Sequence, residues 1–424
     1  MSTAGARVGR RWFVLFTVAW LVLWTVQLTP LQLLIPLQLN TPDDAEGWIA
    51  GVVSSGLVLA VGGVTAVIAG PVAGGLSDRT GGRHGRRRPW ALGGIGLASI
   101  SLVALAFATG PWWVGSAWIG VSVGTAVAAS ALTAMIADQL TTQRAAASAV
   151  VASSQAVGIV LGVGVIVLAG LGIVGGYLAL AAALAVLGSA AAVMLPDPPA
   201  AGATAAARRA RTFSERTAAL RDRDFAWLLA GRLIVNIGNA LGTGLLLFFL
   251  LYGLGRTPET APDELLMLIL VYTLFVVAAS VGAGRLSDRS GRRVGYVVAA
   301  ACVQGAASVL LAVFPSFETT LMSAALLGVG YGAYMSVGLA LATDVLPFPD
   351  DNARDLGFVN VAASLGQLLG PLIGAALVAA VDGFWLLFAA GAALSALGGL
   401  ATLGIRSPRS ASLVPRHVSG SQTP

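Results

Sequence analysis

Two short runs, 210 residues apart, set acid beside base. Residues 74–81 read Gly-Gly-Leu-Ser-Asp-Arg-Thr-Gly, and residues 284–291 read Gly-Arg-Leu-Ser-Asp-Arg-Ser-Gly. A carboxylate next to a guanidinium makes charge-assisted hydrogen bonds, and Gly74 and Gly284 let neighbouring backbones approach closely. That is a set for reversible ionic contact. The first run continues through Arg86, Arg87 and Arg88. A second, weaker echo lies at a similar offset, with Asp138 ahead of Arg144 and Asp344 ahead of Arg354. Other polar side chains interrupt long apolar stretches. Arg232, Asn236, Asn239 and Thr243 recur at i, i+4, i+7 and i+11, on one helical face. Trp20, Trp24 and Gln27 share a face, as do Asn360, Ser364 and Gln367; Gln155, Tyr272, Tyr331 and Tyr334 complete the set. Amides beside aromatic rings suit a sugar, with its apolar face and hydroxyl rim, and suit flat drug-like molecules almost as well. Packing between helices explains any one of them equally well.

Several chemistries are excluded. All 25 cations are arginine, so a Walker A loop and Schiff-base catalysis both lack their lysine. Cys302 has no second cysteine to pair with, and the two histidines, His84 and His417, stand apart from any ligand cluster. No cofactor and no metal are expected. No nucleophile–base pair falls in the apolar stretches, which argues against an enzyme.

The elements that must position these residues are membrane spans. The 424 residues are 57% hydrophobic and 10% charged, with mean hydropathy +0.85. A soluble domain carries about 25% charged residues, so lipid is the expected solvent. Twelve segments are long enough to cross it, approximately 12–37, 48–76, 90–109, 112–137, 147–171, 176–195, 225–253, 265–286, 294–314, 319–343, 357–381 and 384–404. The first apolar run, Trp12 to Leu39, is too long for a signal peptide core of about 7–15 residues and is expected to be retained. With the N-terminus inside, 24 of the 25 arginines fall on the cytoplasmic side and Arg256 on the other. Trp12, Trp48, Trp90, Trp112, Trp113, Trp227 and Trp385 sit at span ends, where an aromatic belt is expected. The net charge of +6 therefore reads as topology, with no nucleic acid partner.

The expected fold is an all-α membrane protein of two six-helix pseudo-repeats with both termini cytoplasmic. Its parts are an N-terminal bundle at 1–195, a cytoplasmic linker at 196–224 with a surface helix near 213–221, a C-terminal bundle at 225–406, and a disordered cytoplasmic tail at 407–424. The tail holds Leu413-Val414-Pro415-Arg416, which resembles an engineered protease site, and is left out of the functional reading.

The paired Gly-x-Leu-x-Asp-Arg-x-Gly loops, the helix count and the central linker resemble the major facilitator superfamily over essentially the whole chain. The run from Gly70-Pro71 through Ser77-Asp78-Arg79 to Arg86-Arg87-Arg88-Pro89 is similar to that of sucrose transporters and the glycoside–pentoside–hexuronide cation symporters. The resemblance implies that Asp78 and Asp288, beside Arg79 and Arg289, latch onto a helix N-terminus or a neighbouring arginine in one access state and let go in the other. Such a latch is worth ~1–3 kcal/mol. Arg86 to Arg88 read better as topology signals and lipid-headgroup ligands. Asp138 and Asp344 read best as structural partners of Arg144 and Arg354. The chain departs from plant sucrose symporters: Ser122 and Thr133 stand where those carry a proton-binding Asp and an Arg.

The expected function is a secondary transporter of the plasma membrane (a bacterial inner membrane), moving a small solute, a sugar or glycoside, by alternating access. The alternative is an exporter of drugs or secondary metabolites. The Gly366 to Gly374 run, with Gly370-Pro371, resembles a drug–antiporter motif, but on the eleventh span and not the fifth. Expected partners are the small-molecule substrate, membrane lipid and a coupling ion, proton or sodium; the chain is expected to act as a monomer. Uniport, a cation site of neutral oxygens, and coupling through Asp138 and Asp344 all stay open. The duplicated loops disfavour an ABC permease subunit, and the lack of a nucleophile, base or metal cluster in the spans disfavours a non-transporting sensor or lipid-modifying enzyme.

Overall fold

A computed structural model describes residues 8–40, 47–80, 85–140, 143–197, 221–345 and 352–406. Twelve helices among them are long and apolar enough to cross a membrane. They are α1 (Arg10–Gln38), α2 (Gly47–Arg79), α3 (Arg88–Ala106), α4 (Gly110–Gln139), α5 (Arg144–Leu168), α6 (Gly172–Met194), α7 (Arg223–Gly244), α8 (Ala261–Ser290), α9 (Arg293–Val313), α10 (Phe317–Val345), α11 (Asn352–Val381) and α12 (Trp385–Leu403). Helix is the solution lipid imposes, because every backbone N–H and C=O must find its partner within the segment. Local chemistry sets the ends. Proline occupies the first turn of α3, α4 and α8, where a missing N–H costs nothing. Asp222 caps α7 by accepting from the Phe225 N–H at 3.0 Å, and Gly291, at φ 67°, closes α8 in the left-handed region. α7 is shorter than its apolar run suggests. It breaks at Leu245 and resumes as Leu246–Phe248 and a π-helical turn, Phe249–Gly253. α2 and α11 continue through Pro71 and Pro371.

The packing repeats with the sequence. α2 and α3 pack on α4 as α8 and α9 pack on α10; α1 lies along α5 as α7 lies along α11; α3 packs on α6 as α9 packs on α12. Two further contacts, α2 with α11 and α5 with α8, are exchanged by the same pseudo-symmetry and join the bundles. These joints are tight where glycine allows it. A Cβ on Gly56 would meet Ala375 and the Pro371 carbonyl, and one on Gly63 would meet Leu368.

The arginine-bearing loops lie at one face of the protein, and most inter-bundle joints lie toward the other, called here the far face. There Trp48 stacks between Tyr252 (4.8 Å) and Phe384 (5.5 Å), and the Tyr252 hydroxyl donates to Asn40 at 2.5 Å. Along α2, Val52, Val58 and Leu59 are buried near the far face, while Ile68, Val72 and Leu76 are exposed near the arginine-rich face. α8 repeats the gradient, from buried Leu265, Leu268 and Ile269 to exposed Val277, Val281 and Leu286. The inter-bundle contacts of α2 and α8 gather toward the far face, and the arginine-rich halves of both helices are the more exposed.

The belt expectation calls for exposed rings at span ends, and Trp112, Trp113, Trp227 and Trp385 are exposed. It fails for Trp12, which is buried with its indole N–H on Gln139 (2.8 Å), and for Trp48, which is part of the inter-bundle stack. Most of the expected linker helix at 213–221, and the tail at 407–424, lie outside the described residues.

Candidate functional site

A cavity of about 410 Å³ runs between the bundles along α8. α1 contributes Leu28 and Gln32, α5 contributes Ser153, Gln155 and Ile159, α7 contributes Asn239 and Thr243, and the turn after it adds Leu246. α8 supplies its wall from Leu268 to Val281, α10 adds Leu327, Tyr331 and Met335, and α11 adds Gln367. The lining is mainly apolar and sits toward the α5–α8 joint; α2 contributes none of it.

One strip is polar. Gln367 donates through Nε2 to the Tyr331 hydroxyl (3.2 Å), which donates to Asn236 Oδ1 (3.2 Å). Tyr272 donates to Asn239 Oδ1 (3.3 Å), and its ring stacks on Tyr331 with centroids 6.4 Å apart. Asn236 itself is fully buried, its amide donating to the Arg232 carbonyl at 2.7 Å. Gln155, Asn239, Tyr272, Tyr331 and Gln367 therefore meet at the cavity.

Others do not. Trp20, Arg232, Asn236 and Tyr334 are buried in bundle packing, and neither they nor Trp24 and Gln27 form the wall. Gln27 turns toward α4 and accepts from Thr125 at 2.7 Å. Helical periodicity finds the face that turns from lipid; whether it meets a cavity or another helix depends on the tilt of its neighbours, which sequence spacing does not carry. The side chain of Asn360 lies outside the described residues.

At the arginine-rich face the charged loops form two clusters. In the first, Arg87 bridges helices. Its Nε donates to Asp138 (2.8 Å), Nη2 to Asp78 (2.7 Å) and Nη1 to Ser77 Oγ (2.5 Å). Arg86 adds a second contact to Asp78 at 2.7 Å. Burial would pull the Arg87 guanidinium below its ordinary value, but the hydrogen bonds and charges of Asp138 and Asp78 outweigh that and hold it above. Asp197, just beyond α6, accepts from the N–H groups of Arg87 and Arg88, both at 2.7 Å, at the positive end of α3. Gly85, at φ 93°, turns the chain there, and a Cβ on it would strike Asp197. Arg88 donates to the Leu195 carbonyl at 2.8 Å.

The second cluster is its pseudo-repeat. Arg293 contacts Asp344 at 2.7 Å, Asp288 at 3.7 Å and the Ala340 carbonyl at 2.6 Å. Of Arg86 to Arg88, Arg87 is buried and spends its donors within the protein, so it is no headgroup ligand in this state. Arg79 and Arg289 end their helices exposed. Gly74 lies against Ser130 of α4, and Gly284 against Ser336 of α10. The side chains of Arg144 and Arg354 lie outside the described residues. Arg293 and Asp197 went unmarked in the sequence. Arg293 follows Arg87 by 206 residues, the spacing of Asp344 from Asp138, and that register was the available signal. Asp197 was hidden in a proline-rich stretch that reads as linker.

This is the architecture of a polytopic membrane carrier, with two pseudo-symmetric helical bundles and a cavity between them. The model of the Major Facilitator Superfamily matches residues 33–262 and 233–422, and the chain belongs to that family. It is a multi-pass membrane protein of that family. Its fold is similar to the crystal structure of the nucleoside transporter NupG, at TM-score 0.75 and 12% identity over 93% of this chain and 99% of that one. A POT family transporter in complex with a thioalcohol-conjugated peptide gives TM-score 0.67 and 13% identity over 92% and 94%. In sequence, 147 residues are 27% identical to the multidrug resistance protein Stp of Mycobacterium tuberculosis, covering 33% of this chain and 27% of that protein. A stretch of 125 residues is 31% identical to a probable triacylglyceride transporter of Mycobacterium bovis, covering 28% and 24%. The chain spans about a quarter of the length of these curated relatives.

Proposed function

We propose that the protein is a plasma-membrane exporter of amphiphilic or drug-like solutes working by alternating access. The carrying observation is the cavity, mainly apolar and bounded by both bundles, with the inter-bundle contacts of α2 and α8 gathered toward the far face. Arginine placement favours a cytoplasmic arginine-rich face, with both termini on that side. The described state is then inward-open, loaded from the cytoplasm, and the Trp48–Tyr252–Phe384 stack is the closed outer gate. The Arg87 and Arg293 clusters each lie within one bundle and act as hinges that keep their bundle rigid as it swivels.

A wall of aliphatic side chains holds apolar solute by exclusion of water and rewards neither hydroxyl count nor stereochemistry. That favours the export reading, as does the similarity to a multidrug resistance protein and a probable triacylglyceride transporter. A sugar or glycoside is the second reading, supported by Gln155, Asn239, Gln367 and the paired tyrosines. Trp20 and Trp24 give it no stacking surface at the wall. Coupling to a proton or sodium, and a monomeric state, are carried as part of the proposal.

Proteoliposomes separate the two readings. Under an imposed ion gradient we expect the protein to extrude a fluorescent amphiphilic dye, anionic or neutral, and to leave radiolabelled sucrose and pentoses untrapped. Sugar uptake without dye movement would reverse the order. Maleimide labelling of single cysteines in loops 2–3 and 8–9, in a Cys302→Ser background, tests the orientation; both must react from the cytoplasmic side.

A further inference from the structure

Arg232 stands nine residues into α7, at membrane depth, and is 4% exposed. A guanidinium does not shed its proton, so it remains a cation there. Among the described residues no carboxylate lies within 4.0 Å of it. Its Nε has no acceptor, and its one recorded side-chain contact is Nη2 to the Met335 sulfur at 3.8 Å, a weak acceptor. Gly338, one turn further along α10, leaves room beside Nη1 that a side chain would fill. A buried cation without a counter-charge costs several kcal/mol, and such residues in spans ordinarily face a partner or a pathway. Met335 is also part of the cavity wall, as is Tyr331, whose hydroxyl bonds to Asn236 one turn from Arg232. One flexible, unbranched side chain thus lies between the charge and the cavity, and rotation about its own torsions uncovers the guanidinium.

We propose that Arg232 is the receptor for the anionic group of an amphiphilic organic acid, with Met335 as its movable cover. The acid's apolar body fills the α5–α8 side of the cavity, and its carboxylate, sulfonate or phosphate takes the fork of the guanidinium once the thioether swings aside. This rests on the carrier reading above and narrows its substrate class. It also accounts for a charge on α7 that neither the hinge clusters nor the polar strip uses. The same anion chemistry could come from a soluble acid or from an acidic lipid headgroup.

The test uses the full chain in lipid nanodiscs, with naphthalene-2-sulfonate and its neutral isostere naphthalene-2-sulfonamide as probes, titrated by calorimetry against empty discs. In phosphatidylcholine discs the wild type is expected to prefer the sulfonate by about tenfold or more, the scale of one charge-assisted bidentate contact. Arg232→Gln should bring that ratio to within about twofold, and Met335→Ala should raise the sulfonate-to-sulfonamide ratio above that of the wild type. Without ligand, Arg232→Gln is expected to unfold at the wild-type temperature or above it, because it removes an uncompensated charge. A residue needed only for packing would lower that temperature and leave the probe ratio alone. Sulfonate binding that persists in phosphatidylglycerol discs assigns the site to soluble acids, and displacement there assigns it to the headgroup. Equal binding of both probes by the wild type, no sulfonate binding in either disc, or an unchanged preference in Arg232→Gln overturns the proposal. The carrier reading stands or falls separately, on distance measurements that use no ligand.

Discussion

The two charge clusters share one plan and differ in depth. Arg87 and Arg293 each join an aspartate at the end of one helix to an aspartate at the end of another, Asp78 with Asp138 and Asp288 with Asp344. Side-chain exposure is 5% for Arg87 and 23% for Arg293, and it is 41% for Asp78 but 70% for Asp288. The N-terminal cluster also has Ser77, Arg86 and the Asp197 cap on α3. Duplication fixes the topology of ion pairs, and burial decides how much each is worth, because solvent screens an exposed pair to a fraction of a buried one. The N-terminal bundle is thus locked as a unit at the arginine-rich face, and the C-terminal bundle keeps slack there.

The sharpest way to break that contrast is to remove both arginines in turn. Arg87→Ala leaves Asp138 unpaired and Asp78 with Arg86 alone, and should cost about 2 kcal/mol, discounted from a fully buried pair because the aspartates are partly wet. Arg293→Ala should cost about 1 kcal/mol or less. Unfolding midpoints of the purified variants check this, and equal losses would show that burial is not the difference. Asp197→Ala comes next. It removes an acceptor from two N–H groups at a helix N-terminus and should cost about 1 kcal/mol, with Gly85→Ala at least as damaging because of its positive φ. The smallest effects are kinetic. Asp78→Asn should slow transport several-fold with membrane insertion intact, and Asp288→Asn should change the rate less than about twofold. Identical rates in both variants would remove the claim that one hinge is stiffer.

Much of this was legible before any coordinates. Twelve spans, the duplicated acid–base loops and the arginine asymmetry follow from hydropathy, spacing and charge, which lipid enforces strictly. The cavity was legible by halves. Gln155, Asn239, Tyr272, Tyr331 and Gln367 reach it, whereas Trp20, Asn236 and Tyr334 belong to the packing behind it. In water an apolar stripe marks the core, but in lipid both faces are apolar, and only helix tilt tells cavity from neighbour. The far-face stack was illegible for a related reason. Trp48, Tyr252 and Phe384 come from three distant helices, and each alone reads as an interfacial aromatic.

The central claim is that the two faces open and close in opposition. Pairs of spin labels test it in nanodiscs, on a Cys302→Ser background, at Ser148 and Leu286 near the arginine-rich ends of α5 and α8 and at Leu168 and Met267 near their far ends. Trp48→Ala, which removes the centre of the far stack, should shorten the first distance and lengthen the second in the same preparation. Two distances that stay fixed, or that lengthen together, would contradict alternating access by this protein.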